Sequence, residues 1–236
     1  MTEPARIALV IGGTHGLGFE TARQLAQRGM TVIITSPDGL VGKAAADKLQ
    51  SEGLTVRFQL LDTQRDEAVI RLRQWLVANT GGLDILVNHA ESHDEAPDNS
   101  ILGVELERLR EGLEANTFNA LRLARELIPV MQDNGRGRIV NVAASTARLN
   151  RMDQGWPVYR LSKAALHALT AMMGAELADS GVRVNAVDPD AGITSQASED
   201  DGDPVVRAAA NIVAATLIPD DGPNGCLLHD GAVVDW

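Results

Sequence analysis

Short apolar runs alternate along this chain with segments whose apolar positions recur every three to four residues. The runs Ile7–Ile11, Thr31–Thr35, Val56–Leu61, Leu83–Val87, Arg138–Val142 and Val182–Val187 are rich in β-branched and aliphatic residues, the pattern of buried strands. Helical periods fill the gaps. One opens at a glycine-rich turn and ends near Gly29, and a second spans Leu40–Ser51 and stops at Gly53. A third carries Ala68, Val69, Leu72 and Leu76 on one face and ends at Gly81-Gly82. A long helix is predicted over Val104–Ile128, closed by Pro129, and another carries Tyr159 and Lys163 on to about Ala178. A last helix and a short seventh strand near Cys226–Leu228 complete the order. Strands alternating with helices imply an α/β fold: one Rossmann-type domain over residues 1–236, a doubly wound parallel sheet of about seven strands with helices on both faces. His89–Ser100 reads as a polar, acidic loop. The acidic stretch Ala197–Asp203 reads as a solvated loop or a lid over a substrate.

Composition narrows the partners. The net charge of −11 argues against nucleic acid or an anionic membrane surface. No apolar run approaches the roughly 20 residues of a membrane span, and strand pattern begins right after Arg6, without a signal-peptide pattern. The single cysteine, Cys226, excludes an internal disulfide and fits a reducing, cytoplasmic compartment.

Two features carry chemistry. The chain has one tyrosine and three lysines, yet Tyr159 stands four residues before Lys163. On a helix this spacing puts phenol and ammonium on one face. The cation favours the phenolate, which suits a proton donor to a carbonyl; the plainer reading is a surface tyrosine beside a solvated lysine. The second feature is Val10-Ile11-Gly12-Gly13-Thr14-His15-Gly16-Leu17-Gly18, between the first strand and first helix. Gly12 permits the tight turn, Gly16 close approach of a pyrophosphate and Gly18 close helix–strand packing. The phosphates would face the free N–H groups of the helix N-terminus.

The spacing Gly-x-x-x-Gly-x-Gly, followed about 140 residues later by Tyr-x-x-x-Lys, resembles the short-chain dehydrogenase/reductase family along essentially the whole chain. The run Tyr159–Leu166 and the late Pro219-Asp220-Asp221-Gly222-Pro223 look most like its carbonyl-reductase branch. The resemblance implies that Asp62 bonds the adenine and that Asn88 and Ala90 line the cofactor groove. It implies that Lys163 holds the nicotinamide ribose and tunes Tyr159, and that Asn116 holds a water of a proton relay. Asp62 as a helix N-cap and Asn116 as a buried residue bonded to backbone are the structural alternatives. Self-association through the two long helices, as homodimer or homotetramer, is likewise implied.

The family pattern is broken in three places. Its serine after the fifth strand aligns with Ala144, and the nearest hydroxyls to orient the substrate carbonyl are Ser145 and Thr146; if neither reaches, the missing donor costs on the order of 10²–10³ in rate. Glu91 replaces a glycine in Asn88-His89-Ala90-Glu91. Pro189-Asp190 replaces Pro-Gly, with Gly192 late and Thr194 still available to the nicotinamide. At the end of the second strand, Ser36 stands where NAD enzymes carry an acid. Small hydroxyls and a partly protonated His15 favour NADP(H) over NAD(H), and Asp38 counts against it. His89 and His93 near Glu91, Asp94 and Glu95 match no zinc spacing, so no metal is expected. The expected activity is reduction of a small-molecule ketone or aldehyde to an alcohol, with Tyr159, Lys163, Ser145 and Asn116 as the working residues. The alternatives are a dinucleotide-binding protein that has lost redox chemistry, and a non-redox enzyme such as a dehydratase on the same fold.

Overall fold

The computed structural model describes residues 5–89, 100–189 and 203–236. Eight strands form one sheet in the order β3-β2-β1-β4-β5-β6-β7-β8. They are β1 (Ile7–Ile11), β2 (Thr31–Ser36), β3 (Val56–Leu60), β4 (Ile85–Asn88), β5 (Gly137–Val142), β6 (Val182–Val187), β7 (Leu227–His229) and β8 (Ala232–Val234). All neighbours pair in parallel except β7 and β8. The helices are α1 (Gly16–Gln27), α2 (Gly39–Ser51), α3 (Asp66–Thr80), α4 (Leu106–Leu113), α5 (Asn119–Asp133), α6 (Pro157–Glu176) and α7 (Pro204–Thr216). The expected doubly wound α/β architecture is therefore present, with one strand more than predicted.

Alternation along the strands builds two cores. Ala8, Val10, Val32 and Ile34 point to one face, where Leu25 of α1, Leu49 of α2 and Ile212 of α7 cover them. Leu9, Ile11, Ile33 and Leu86 point to the other, under Leu76 of α3, Leu127 of α5 and Met173 of α6. Strand order reverses between β1 and β4, whose last residues Ile11 and Asn88 are register partners. A crevice at the carboxyl ends of the strands follows from that reversal.

Three sequence expectations need correction. The long helix predicted over 104–128 is two helices, α4 and α5, joined by a π-helical turn, Glu114–Phe118, in which the Asn119 N–H reaches back five residues to the Glu114 carbonyl. Pro129 does not close that helix, which runs on to Asp133. The turn after the proline buries Val130 and Met131 completely or nearly so, and this apolar burial outweighs one lost backbone bond. The eighth strand was missed although its local signal stands in the sequence. Asp230-Gly231, with φ of 48° and 75°, makes the two-residue turn that pairs β7 with β8.

Behind Lys163 on α6 lies His167, 4% exposed, its ring centroid 5.1 Å from that of Trp236. Burial first, then the cations Lys163 and Arg148, push His167 down to about 4. The folded state thus holds a neutral imidazole that the unfolded chain protonates below about 6.5. Stability is complete above that pH, declines as pH falls from about 6.5 towards 4, and levels off below. The shift from 6.5 to about 4 corresponds to at most roughly 3 kcal/mol. Denaturant melts across this range should show that decline, and His167→Phe should flatten it relative to the wild type.

Candidate active site

The turn between β1 and α1 is shaped for close approach. Gly16 has φ of 51°, and nothing stands within 4 Å of where its Cβ would be, so the backbone there faces open space. A Cβ on Gly18 would instead collide with the Gly12 carbonyl oxygen, which locks helix against strand. His15 is the N-cap of α1, in extended backbone and without a side-chain cap. The first N–H groups of the helix are therefore left to a ligand.

A groove of about 700 Å³ opens beside this turn, lined among others by Gly12, Thr14, His15, Ser36, Asp62 and His89. Thr14 and His15 side chains lie 3.2 Å apart at its exposed rim. Leu17 is half-buried and packs on the core, so its contribution to this turn is its backbone. Asp62 is not the N-cap of α3, a place taken by Arg65; its carboxylate accepts the Gln64 N–H at 3.1 Å. Asp38, expected to repel a phosphate here, is committed elsewhere. Its carboxylate caps α2, accepting from Leu40 N–H at 2.8 Å and Val41 N–H at 3.1 Å. Ser36 accepts the Asp38 N–H at 3.0 Å, which leaves its own proton free to donate.

At the far end of the crevice, α6 carries Tyr159 and Lys163 on one face, as the spacing requires. Tyr159 is half-buried, while Lys163 is 1% exposed with Nζ 5.7 Å from the Tyr159 ring centroid. Nζ also donates to the Val142 carbonyl at 2.7 Å, at the end of β5. The plainer reading, a solvated lysine, is excluded by that burial. Asn116, 3% exposed, sits in the π-helical turn and donates to Ser162 Oγ at 3.0 Å; Thr117 donates to the Ser162 carbonyl at 2.7 Å. The two side chains pin the turn to α6 one residue from Lys163. Functional sites are where such π turns concentrate.

Asn88, Asn116 and Lys163 border a cavity of about 10 Å³, roughly the room one water needs. Asn88 donates to Asn141 Oδ1 at 2.7 Å, and Asn141 donates to Thr170 at 2.8 Å. The buried Asn88 Oδ1 has no protein partner among the described residues. A polar chain of this kind leaves one acceptor for a guest. Asn141 and Thr170 were not singled out in the sequence, though an asparagine inside the apolar run of β5 was a visible signal.

Ala144 and Ser145 are half-buried and Thr146 is exposed, with Ser145 opening a 3₁₀ turn, Ser145–Ala147. Ala90 and Thr194, and the departures Glu91 and Asp190, lie outside the described residues, as does the rest of the expected loop from Ser92 to Asn99. Among the described residues, no cluster of three or more metal-ligating side chains occurs, and no helix is long and apolar enough to cross a membrane.

These features fit a dinucleotide: donors for a diphosphate at the glycine turn, a groove of about 700 Å³ beside it, and a phenol with a buried ammonium at the carboxyl end of β5. Comparison with known proteins agrees. Residues 6–202 match the family model described as short chain dehydrogenase. The chain is 28% identical to carbonyl reductase (NADPH) 3 of Homo sapiens, with all of both chains covered. It is 33% identical to dehydrogenase/reductase SDR family member 4 of Homo sapiens over 78% of this chain and 65% of that one. Among solved structures, salutaridine reductase from Papaver somniferum aligns with a TM-score of 0.78 at 25% identity, over 95% of this chain and 99% of that one. L-Sorbose reductase from Gluconobacter frateurii, complexed with NADPH and L-sorbose, aligns with a TM-score of 0.71 at 26% identity, over 78% and 68%.

Gly18→Ala tests the locked turn. The added methyl meets backbone, which cannot move aside as a side chain can, so stability should fall by about 1–3 kcal/mol. Thermal melts together with a dinucleotide titration check it, and the affinity should fall as well.

Proposed function

The chain belongs to the short-chain dehydrogenase/reductase family as an oxidoreductase, and on that premise we propose that it reduces a ketone or aldehyde to an alcohol with NADP(H). The observation that carries this reading is the ammonium of Lys163, buried on the same helix face as the Tyr159 phenol.

Bound in the groove, the nicotinamide cofactor supplies the hydride that reduces the carbonyl carbon. Tyr159 gives its phenolic proton to the carbonyl oxygen. Lys163 stabilises the negative charge left on the phenol, an attraction strengthened by its exclusion from water. Ser145 donates a hydrogen bond to the carbonyl oxygen and so fixes which face of the substrate is presented. Asn116, with Asn88, holds a water in the cavity beside Lys163, from which the proton lost by Tyr159 is restored. The same water would satisfy the free Oδ1 of Asn88.

NADP(H) is favoured over NAD(H) for three reasons. The end of β2 offers the Ser36 hydroxyl and no carboxylate, since Asp38 is turned to its helix cap. His15 stands at the rim of the same groove. Relatives named as NADPH enzymes and a neighbour solved with NADPH support the choice. Self-association, as homodimer or homotetramer, belongs to the same reading, with Leu106, Phe118 and Leu161 exposed on the helices expected to meet. A cytoplasmic setting does too.

With a panel of aromatic and aliphatic carbonyls, absorbance of the reduced nicotinamide should fall. Tyr159→Phe should lower kcat by about 10²–10⁴-fold while cofactor affinity is kept. Tight NADPH binding with no turnover of any carbonyl would instead favour a binding protein without redox chemistry, a reading that Ala144 at the expected serine position motivates. Ser36→Asp places a carboxylate where NAD enzymes use one. It should raise the KM for NADPH by about tenfold or more while sparing NADH, measured by steady-state kinetics with both cofactors.

A further inference from the structure

Arg160 follows Tyr159 directly and is only 9% exposed, yet it forms no ion pair with any described residue. Burying a guanidinium is costly, and among the described residues backbone carbonyls supply the compensation. Nη1 donates to the Thr146 carbonyl at 2.7 Å and to the Arg151 carbonyl at 3.1 Å. These two acceptors belong to consecutive 3₁₀ turns, Ser145–Ala147 and Leu149–Arg151, which connect β5 to α6. In the first turn, Ala147 N–H bonds the Ala144 carbonyl at 3.1 Å, and Arg148 N–H bonds the Ser145 carbonyl, also at 3.1 Å. The Thr146 carbonyl between them is free to take Arg160. Carbonyls at the ends of helical turns lack partners and carry partial negative charge, which suits a cation.

One side chain in the first turn of α6 thus clamps both short turns against the helix that bears Tyr159. The chain has Ala144 where the carbonyl-orienting serine is expected, so Ser145, one position later, must be held in a shifted register. We propose that Arg160 is the positioning residue that seats the Ser145 hydroxyl opposite the Tyr159 phenol. The proposal rests on the reading of Ser145 given above. An apolar residue of similar length would fill the same space but would bond neither carbonyl, and a lysine has protons enough for both but, on a shorter side chain, does not reach them as well as Nη1 does.

The test uses Arg160→Met and Arg160→Lys in the full chain, each alone and combined with Ser145→Ala. Hydrogen exchange is followed over residues 145–151, with Ile7–Ile11 as the internal reference. Arg160→Met should speed exchange in the first segment by about tenfold or more and leave the second unchanged; Arg160→Lys should fall between. Should Arg160→Met fail to fold, the lysine variant carries the comparison. In kinetics, Arg160→Met should lower kcat on the order of 10²-fold, as loss of one oriented donor does, with the KM for NADPH unchanged. Added to Ser145→Ala, it should cost nothing further, because both changes remove the same interaction. Unchanged exchange at 145–151, or losses that multiply in the double variant, would overturn the proposal. Wild-type rates in Ser145→Ala would sink the serine reading and the catalytic half of the proposal with it. The exchange data would then still decide whether Arg160 holds the turns.

Discussion

A lysine with 1% of its surface exposed is the constraint around which this molecule is arranged. Burying an ammonium is unfavourable unless its protons find acceptors and the positive charge finds electron density. Lys163 has the Val142 carbonyl at 2.7 Å and the Tyr159 ring at 5.7 Å, and it borders a cavity of about one water. Each of these comes from a different part of the chain. The carbonyl needs β5 to end where it does, the ring needs one helical turn of α6, and the cavity needs the π-helical turn between α4 and α5. Moving any of them by a residue would remove one of the features that compensate the buried charge.

Next to Lys163 on α6, burial and neighbouring cations keep a second titratable group uncharged, His167 one turn further on. The remaining polar groups, Asn88, Asn141 and Thr170, are uncharged and pass hydrogen bonds from the crevice across the sheet into α6. A neutral chain of donors and acceptors ties the carboxyl ends of β4 and β5 to α6 without adding a second charge beside Lys163. Chemistry and packing share one seam here, at the place where strand order reverses.

The chain's departures from its family have unequal weight. Ala144 stands where the family's serine is expected, at the entry to the Ser145–Ala147 turn, whose Thr146 carbonyl Arg160 bonds from α6. Asp38, which looked unfavourable for a 2′-phosphate, is spent on the N-terminus of α2, where its charge meets two N–H groups. A carboxylate's effect on a ligand depends on what else it is bonded to, which no residue type reveals.

The alternation of strands and helices, the glycine turn and the shared face of Tyr159 and Lys163 were all legible in the linear sequence. Each is a short-range property: a period of two or 3.6 residues, or a backbone conformation that only glycine adopts easily. Even the eighth strand was written there, in Asp230-Gly231. What only the tertiary structure decided is which group stands opposite each of these residues. The π-helical turn exists because Asn116 and Thr117 both reach Ser162, and Pro129 is tolerated because Val130 and Met131 find a core. Lys163 is buried because β5 supplies a carbonyl, and Arg160 clamps two turns that precede it in the chain. Those partners are brought together by packing between distant segments, and a pattern of spacings along one segment carries no record of them.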